Sequence, residues 1–281
     1  MDPVLAGAGL TLGYDGRIIS TDLDVTIPAG SFTAIIGPNA CGKSTLLRAL
    51  SRLLKPRTGE VFLQGAPITR HSTRQVARRL ALLPQSSTAP DGITVADLVA
   101  RGRFPHQTLL RQWSDADQAA VDAAMAATGV TELAGRSVDE LSGGQRQRVW
   151  LALVLAQDTP VLLLDEPTTF LDVAHQLDVL RLCRRLHETG NYTLVTVLHE
   201  LSLAFRFADH VIAMKDGRIV AQGPPERIAT PELMKEIYGI DVVVIPDPAT
   251  GGPLVVPLEP RRRPAAAGAP DVQPSIAEAL A

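Results

Sequence analysis

Cysteine is almost missing from this chain. Two residues in 281, Cys41 and Cys183, build neither a disulfide framework nor a cysteine-rich metal centre, and fit a reducing compartment. Lysine is confined to Lys43, Lys55, Lys215 and Lys235, the other basic side chains being arginine, a bias we read as genome composition. Excess charge of one sign is missing too. A net charge of -3 and a pI near 6.1 leave no basic footprint for nucleic acid, which is not expected as a partner. Long hydrophobic runs are absent. The longest, "VWLALVLA" (149–156) and "VLLL" (161–164), fall short of the roughly 20 residues that cross a bilayer. The start "MDPVLAGAGLTLGYDG" lacks the basic segment and apolar run of a secretory signal. The expectation is a soluble chain whose membrane role, if it has one, passes through a partner.

What is present is enough apolar material, 46%, for a substantial core. At roughly 100–200 residues per domain, the length allows one large domain or two modest ones. Strand-like and helix-like stretches alternate, which predicts an α/β fold with a mainly parallel sheet. "SFTAIIG" (31–37) reads as a strand ending in a glycine loop. "STLLRALSRLL" (44–54) has helical apolar spacing, and "GEVFLQG" (59–65) reads as a strand. "VLLLDE" (161–166) and "YTLVTVLH" (192–199) are continuous aliphatic strands of the doubly buried kind, and "HVIAMKDGRIVAQG" (210–223) is a hairpin turning at Asp216-Gly217. Between about 94 and 140 strands give way to alanine-rich sequence. There "SDADQAAVDAAMAATG" (114–129) predicts a helix capped by Ser114, with Asp117 in its first turn, and stopped by Gly129. A helical insert, about 90–158, is therefore expected inside the α/β core. A small hairpin is expected at about 240–257, and the Pro/Ala-biased 258–281 reads as a disordered tail.

"GPNACGKST" (37–45) fits G-x-x-x-x-G-K-[ST] between a strand and a helix, the context that motif requires. Backbone N–H groups of such a loop wrap a phosphate, and the helix N-terminus adds positive potential. Lys43 offers a point charge to the β- and γ-phosphates, and Ser44 an oxygen to Mg²⁺. The strand "LLLDEP" (162–167) delivers Asp165 towards Mg²⁺ and Glu166 as general base for an attacking water. His199, at a strand's carboxyl end, lies on the ligand side of an open sheet. The residues alone leave it open as a γ-phosphate donor or as a structural histidine.

Together with Gln85 in "LLPQ", "LSGGQRQRV" (141–149) and Asp172, these segments resemble the ATP-binding cassette (ABC) ATPases over about residues 4–257. The resemblance implies a P-loop NTPase core with an N-terminal antiparallel β subdomain and an inserted α-helical subdomain. It implies ATP and Mg²⁺ as cofactors, held by Gly37, Pro38, Asn39, Ala40, Cys41, Gly42, Lys43, Ser44 and Thr45, with Tyr14 stacked on the adenine. Metal ligation would fall to Ser44, Gln85 and Asp165, and catalysis to Glu166, His199, Gln85 and Asp172. Ser142, Gly143, Gly144 and Gln145 would close on ATP held by a second copy of the chain. Two adjacent glycines there leave amides bare at the start of a helix, an anion site with no phosphate loop of its own beside it.

"RGRFPHQ" (101–107), "DEPTTFLDVAHQ" (165–176), "VLHEL" (197–201) and "PDPATGGPLVVP" (246–257) are similar to the branch serving iron–siderophore, haem and cobalamin importers. That branch implies two membrane permease subunits, an extracytoplasmic solute-binding protein, and a peripheral location on the cytoplasmic face of the plasma membrane. A soluble cassette ATPase or a non-catalytic regulatory module are the rival readings. Two departures stand out. Ala40 occupies a position usually glycine, and Cys41 sits in the phosphate loop, where its alkylation would block ATP; its everyday role would be a small buried filler.

Overall fold

The computed structural model describes residues 3–108, 113–169, 171–190 and 192–258. The chain opens with β1 (Pro3–Tyr14) and β2 (Arg17–Pro28), joined at Asp15-Gly16, where φ is 40° and 87°. Positive φ at both positions suits the tight turns whose twist matches flanking strands. In β2, Leu23, Val25 and Ile27 are buried while Asp22, Asp24 and Thr26 face solvent, the period-two pattern of a sheet with one wet face. β3 (Phe32–Ile36) is buried throughout.

Helix α1 (Lys43–Leu50) is shorter than its leucine spacing predicts. Arg52 turns to φ 65°, ending the helix, and leaves Leu53 70% exposed. β4 (Thr58–Leu63) and β5 (Ala66–Pro67) complete an antiparallel sheet of order β2-β1-β4-β5.

After α2 (Thr73–Ala77) and β6 (Leu80–Leu83) come helical elements: α3 (Val95–Ala100), a 3₁₀ turn at Arg101–His106, α4 (Asp115–Thr128) and α5 (Gly143–Ala156). The ends of α4 follow the local chemistry. Ser114 and Asp117 form a reciprocal capping box, and Gly129 takes the left-handed cap at φ 64°. Arg103 of "RGRFPHQ" is no generic surface arginine. Its Nε donates to buried Asp117 at 2.9 Å and a terminal nitrogen donates to the Ala156 carbonyl at 2.9 Å, tying the 3₁₀ turn to α4 and α5.

The chain continues with β7 (Val161–Leu164), α6 (Val173–Gly190), β8 (Thr193–Val197), α7 (Leu201–Phe207), β9 (His210–Lys215) and β10 (Arg218–Gly223). The Asp216-Gly217 turn has φ 47° and 74°, as a two-residue hairpin requires. Then come α8 (Pro225–Ile228), α9 (Pro231–Tyr238) and the hairpin of β11 (Val242–Pro246) and β12 (Pro253–Pro257). The tail expected from 258 onward lies, beyond Leu258 itself, outside the described residues.

The second sheet has the order β10-β9-β3-β8-β7-β6, parallel except for β10. It separates two cores by strand alternation. Leu162 and Leu164 pack with the helices, whereas Val161 and Leu163 pack with α1 and the antiparallel sheet. Three functional segments leave from the carboxyl ends of neighbouring strands β3, β7 and β8, where open α/β sheets bind ligands. No helix among the described residues is long and apolar enough to cross a membrane.

Candidate active site

The phosphate loop is shaped by close approach to β9. Gly37 has φ 148°, and a β-carbon there would run into the Met214 carbonyl oxygen. Gly42, at φ 105°, forms the left-handed N-cap of α1 and points the next amides at the loop's centre. Lys43 is 5% exposed, and its Nζ donates to the carbonyls of Gly37 (2.8 Å) and Pro38 (2.7 Å). Asn39, Ala40, Ser44 and Thr45 line the cavity beside it.

Ala40 does adopt the left-handed conformation, φ 61°, that its departure from glycine made a question. An L-residue there carries about 1 kcal/mol of strain. Ala40→Gly is expected to tighten MgATP binding about threefold by easing the loop's adjustment; unchanged affinity in calorimetry would contradict this. Cys41 is 5% exposed, and burial raises its thiol above the ordinary value, so little thiolate forms. That favours the filler role over a reactive one.

β7 carries Asp165 into the site. The carboxylate is 2% exposed and accepts a 2.8 Å bond from Ser44 Oγ. Burial pushes its pKa up, Ser44 partly opposes this, and the neighbouring Glu166 charge adds to the rise. At Glu166 the backbone turns to φ 53°, aiming its side chain elsewhere. One carboxylate oxygen meets His199 Nε2 at 2.6 Å; the other accepts from Gln85 Nε2 at 2.7 Å and Thr169 Oγ1 at 3.0 Å. Burial raises the Glu166 pKa, but these donors, His199 first, outweigh it and hold the carboxyl below the ordinary glutamate value. His199, left open by sequence, is thus a partner of the acid beside β7.

Gln85, Asn39, Ala40, Ser44, Glu166, Thr169 and His199 converge on one cavity. With Lys43 and Asp165 beside it, one space gathers a buried ammonium group, two carboxylates and side-chain oxygens, a set that could hold an anion and a cation together. Two residues with no sequence signal, Arg17 and Ile19 of β2, also line the cavity beside Lys43. Only the pairing of β2 with β1 and its approach to the loop put them there. Tyr14, expected at the adenine, ends β1, is 38% exposed, and its hydroxyl accepts a 3.3 Å bond from Arg48; it is not among the residues lining that cavity.

Other expected residues are not gathered there. Ser142 caps α5, its Oγ accepting from the Gln145 amide at 3.3 Å while Gln145 Oε1 accepts from the Ser142 amide at 3.1 Å. The helix begins at Gly143, so both glycine amides stand at its open end. Asp172 precedes α6 and accepts from the His175 amide at 2.9 Å. Neither this Ser142–Gln145 turn, the signature turn, nor Asp172 lines the cavity beside Lys43 in its own chain.

Residues 20–169 match the ABC transporter family model. The chain is 56% identical over 254 residues to the ferric enterobactin transport ATP-binding protein FepC of Escherichia coli (strain K12), covering 90% of this chain and 94% of that protein. It is 49% identical to the petrobactin import ATP-binding protein FpuD of Bacillus anthracis, covering 94% and 96%. Among solved structures it superposes on a dimeric bacterial ABC transporter cassette, MJ0796, with a TM-score of 0.70 and 25% identity, covering 78% of this chain and 98% of that one. With this family match and these relatives, the chain belongs to the ABC transporter family.

Proposed function

We propose that the chain is the ATP-hydrolysing subunit of an importer for a ferric siderophore, working as a pair of copies with two ATP molecules between them. The observation that carries the paired arrangement is the separation within one chain: a phosphate cradle on α1 and an anion-binding helix start on α5 that does not line it. On this reading Ser142, Gly143 and Gly144 of one copy meet the γ-phosphate cradled by the other, and Asp172 faces the same interface. The cargo class follows the two relatives named above, whose printed roles concern ferric enterobactin and petrobactin.

Within the centre, the phosphate-loop amides and Lys43 bind and orient the triphosphate. Glu166 takes a proton from the attacking water, and His199 holds that carboxylate in place through the 2.6 Å contact. Ser44 Oγ, the buried carboxylate of Asp165 and the Gln85 amide oxygen form the hard-oxygen set that suits Mg²⁺. The buried Asp165 has few polar partners, and a cation would relieve the upward push on its pKa. When bound, the ion would neutralise phosphate charge. Signature amides then add to the stabilisation of phosphoryl charge.

The permease would seat in the apolar groove lined by Leu53, Val76, Ala77, Leu82 and Pro84. Leu53, exposed at the edge of this groove, is a large apolar side chain on offer to a partner. On this reading the chain sits at the cytoplasmic face of the membrane through its partner. Co-purified with its permease in vesicles, it should show ATPase stimulated by a ferric siderophore with its solute-binding protein. Leu53→Arg should lower that stimulation about tenfold while the free subunit hydrolyses normally. Stimulation by haem or cobalamin instead would reassign the cargo.

A further inference from the structure

His175 stands in the first turn of α6 and belongs to none of the catalytic groups above. Its ring joins two features that sequence places 28 or more residues apart in different elements. Nδ1 lies 2.8 Å from Asp172 Oδ1, an oxygen that also accepts from the His175 amide at 2.9 Å. A carboxylate only accepts, so Nδ1 carries the proton and donates. The opposite edge of the ring lies over the signature turn. A β-carbon at position 144 would sit 3.1 Å from His175 Cδ2 and 3.3 Å from Cγ. The second glycine of the turn therefore lies close under this imidazole: a methyl there would press on the ring and shift it by a few tenths of an ångström.

We propose that His175 is a positioning residue that locks the Asp172 carboxylate and the Gly143-Gly144 turn into one face, presented as a unit to the ATP of the other copy. The inference rests on the paired reading given above. Asp172 and His175 are both substantially exposed, with side chains 67% and 45% accessible, so the lock lies on a surface and not in the core. Without the ring's hydrogen bond, Asp172 keeps its cap on α6 through the backbone amide, but its rotation about that cap is no longer tied to the signature turn. Each half then has to be ordered separately as the copies close, which weakens closure and leaves the phosphate loop unaffected.

The test uses full-length Glu166→Gln protein, in which hydrolysis does not reset the pair, and measures the ATP concentration for half-maximal dimerisation by sedimentation. His175→Asn keeps a side-chain donor at the Nδ1 position; His175→Leu keeps volume and removes it. The Leu variant should need about tenfold more ATP, the Asn variant about the same as the parent, with both binding MgADP normally and melting together. Equal midpoints for Asn and Leu would overturn the proposal. A Ser142→Arg arm separates the two levels: if it fails to block dimerisation, the paired reading itself falls, whereas a blocked Ser142→Arg with an unshifted His175→Leu removes the His175 role alone.

Discussion

Glu166→Gln should lower kcat about 10³-fold while ATP still binds, accumulating an ATP-loaded dimer. The amide keeps the shape of the carboxylate, and its single oxygen can still accept from Gln85 and Thr169 with its NH2 turned to His199, so the cavity should hold its form. What it loses is basicity, and the attacking water is left without an acceptor for its proton. The pH dependence has a defined sign. Because donors hold the Glu166 carboxyl below its ordinary 4.5, their stabilisation is complete above that pH and is lost as the pH falls through the lower folded-state value. Glu166 therefore stays charged across the neutral range, and any loss of turnover between about pH 5 and 7 has another origin. Phosphate release under saturating ATP, alongside size-exclusion chromatography with and without ATP, measures both effects. A Glu166→Gln protein turning over at the parent rate would move the base elsewhere.

Lys43→Ala should weaken MgATP binding by about 10²-fold or more, since each bond from a charged donor contributes about 1.5–3 kcal/mol. The ammonium group is already engaged, donating to the Gly37 and Pro38 carbonyls. Its removal therefore acts twice, taking a positive charge from the triphosphate and two bonds from the loop that cradles it. Arginine is not a substitute. The Lys43 side chain is nearly closed off from solvent, and a planar guanidinium does not reproduce a compact, rotating donor. Calorimetric titration reads the affinity, and thermal melting without nucleotide should fall by a few degrees. Parent-like affinity in Lys43→Ala would show that the loop amides alone hold the phosphates.

The parts of this molecule visible in sequence are those governed by neighbours along the chain. β3, β7 and β8 are mainly apolar runs because both faces of the parallel sheet are covered, and α4 announces its ends because Ser114 with Asp117 at one end and Gly129 at the other act within one turn. The phosphate loop is legible for the same reason. α1 misled because leucine spacing persists past Leu50 while the backbone at Arg52 has already left the helix. Contacts spanning long separations had no local mark: Gln85 with Glu166 across 81 residues, or the Arg103–Asp117 pair. An arginine-rich stretch looks the same whether its guanidinium meets water or a buried aspartate. Arg17 and Ile19 were invisible for a related reason, since their place at the cavity depends on sheet pairing.

Pro84 lines the apolar groove and Gln85, the next residue, donates to Glu166. In mechanical terms the transmission between those two places is one peptide unit, about 3.8 Å between α-carbons. A lever this short has no slack. Shifting Gln85 by about 1 Å would stretch its 2.7 Å bond beyond hydrogen-bonding range. Whatever fills the groove thus needs no large movement to be felt at the base, only enough stiffness that the movement is not absorbed on the way.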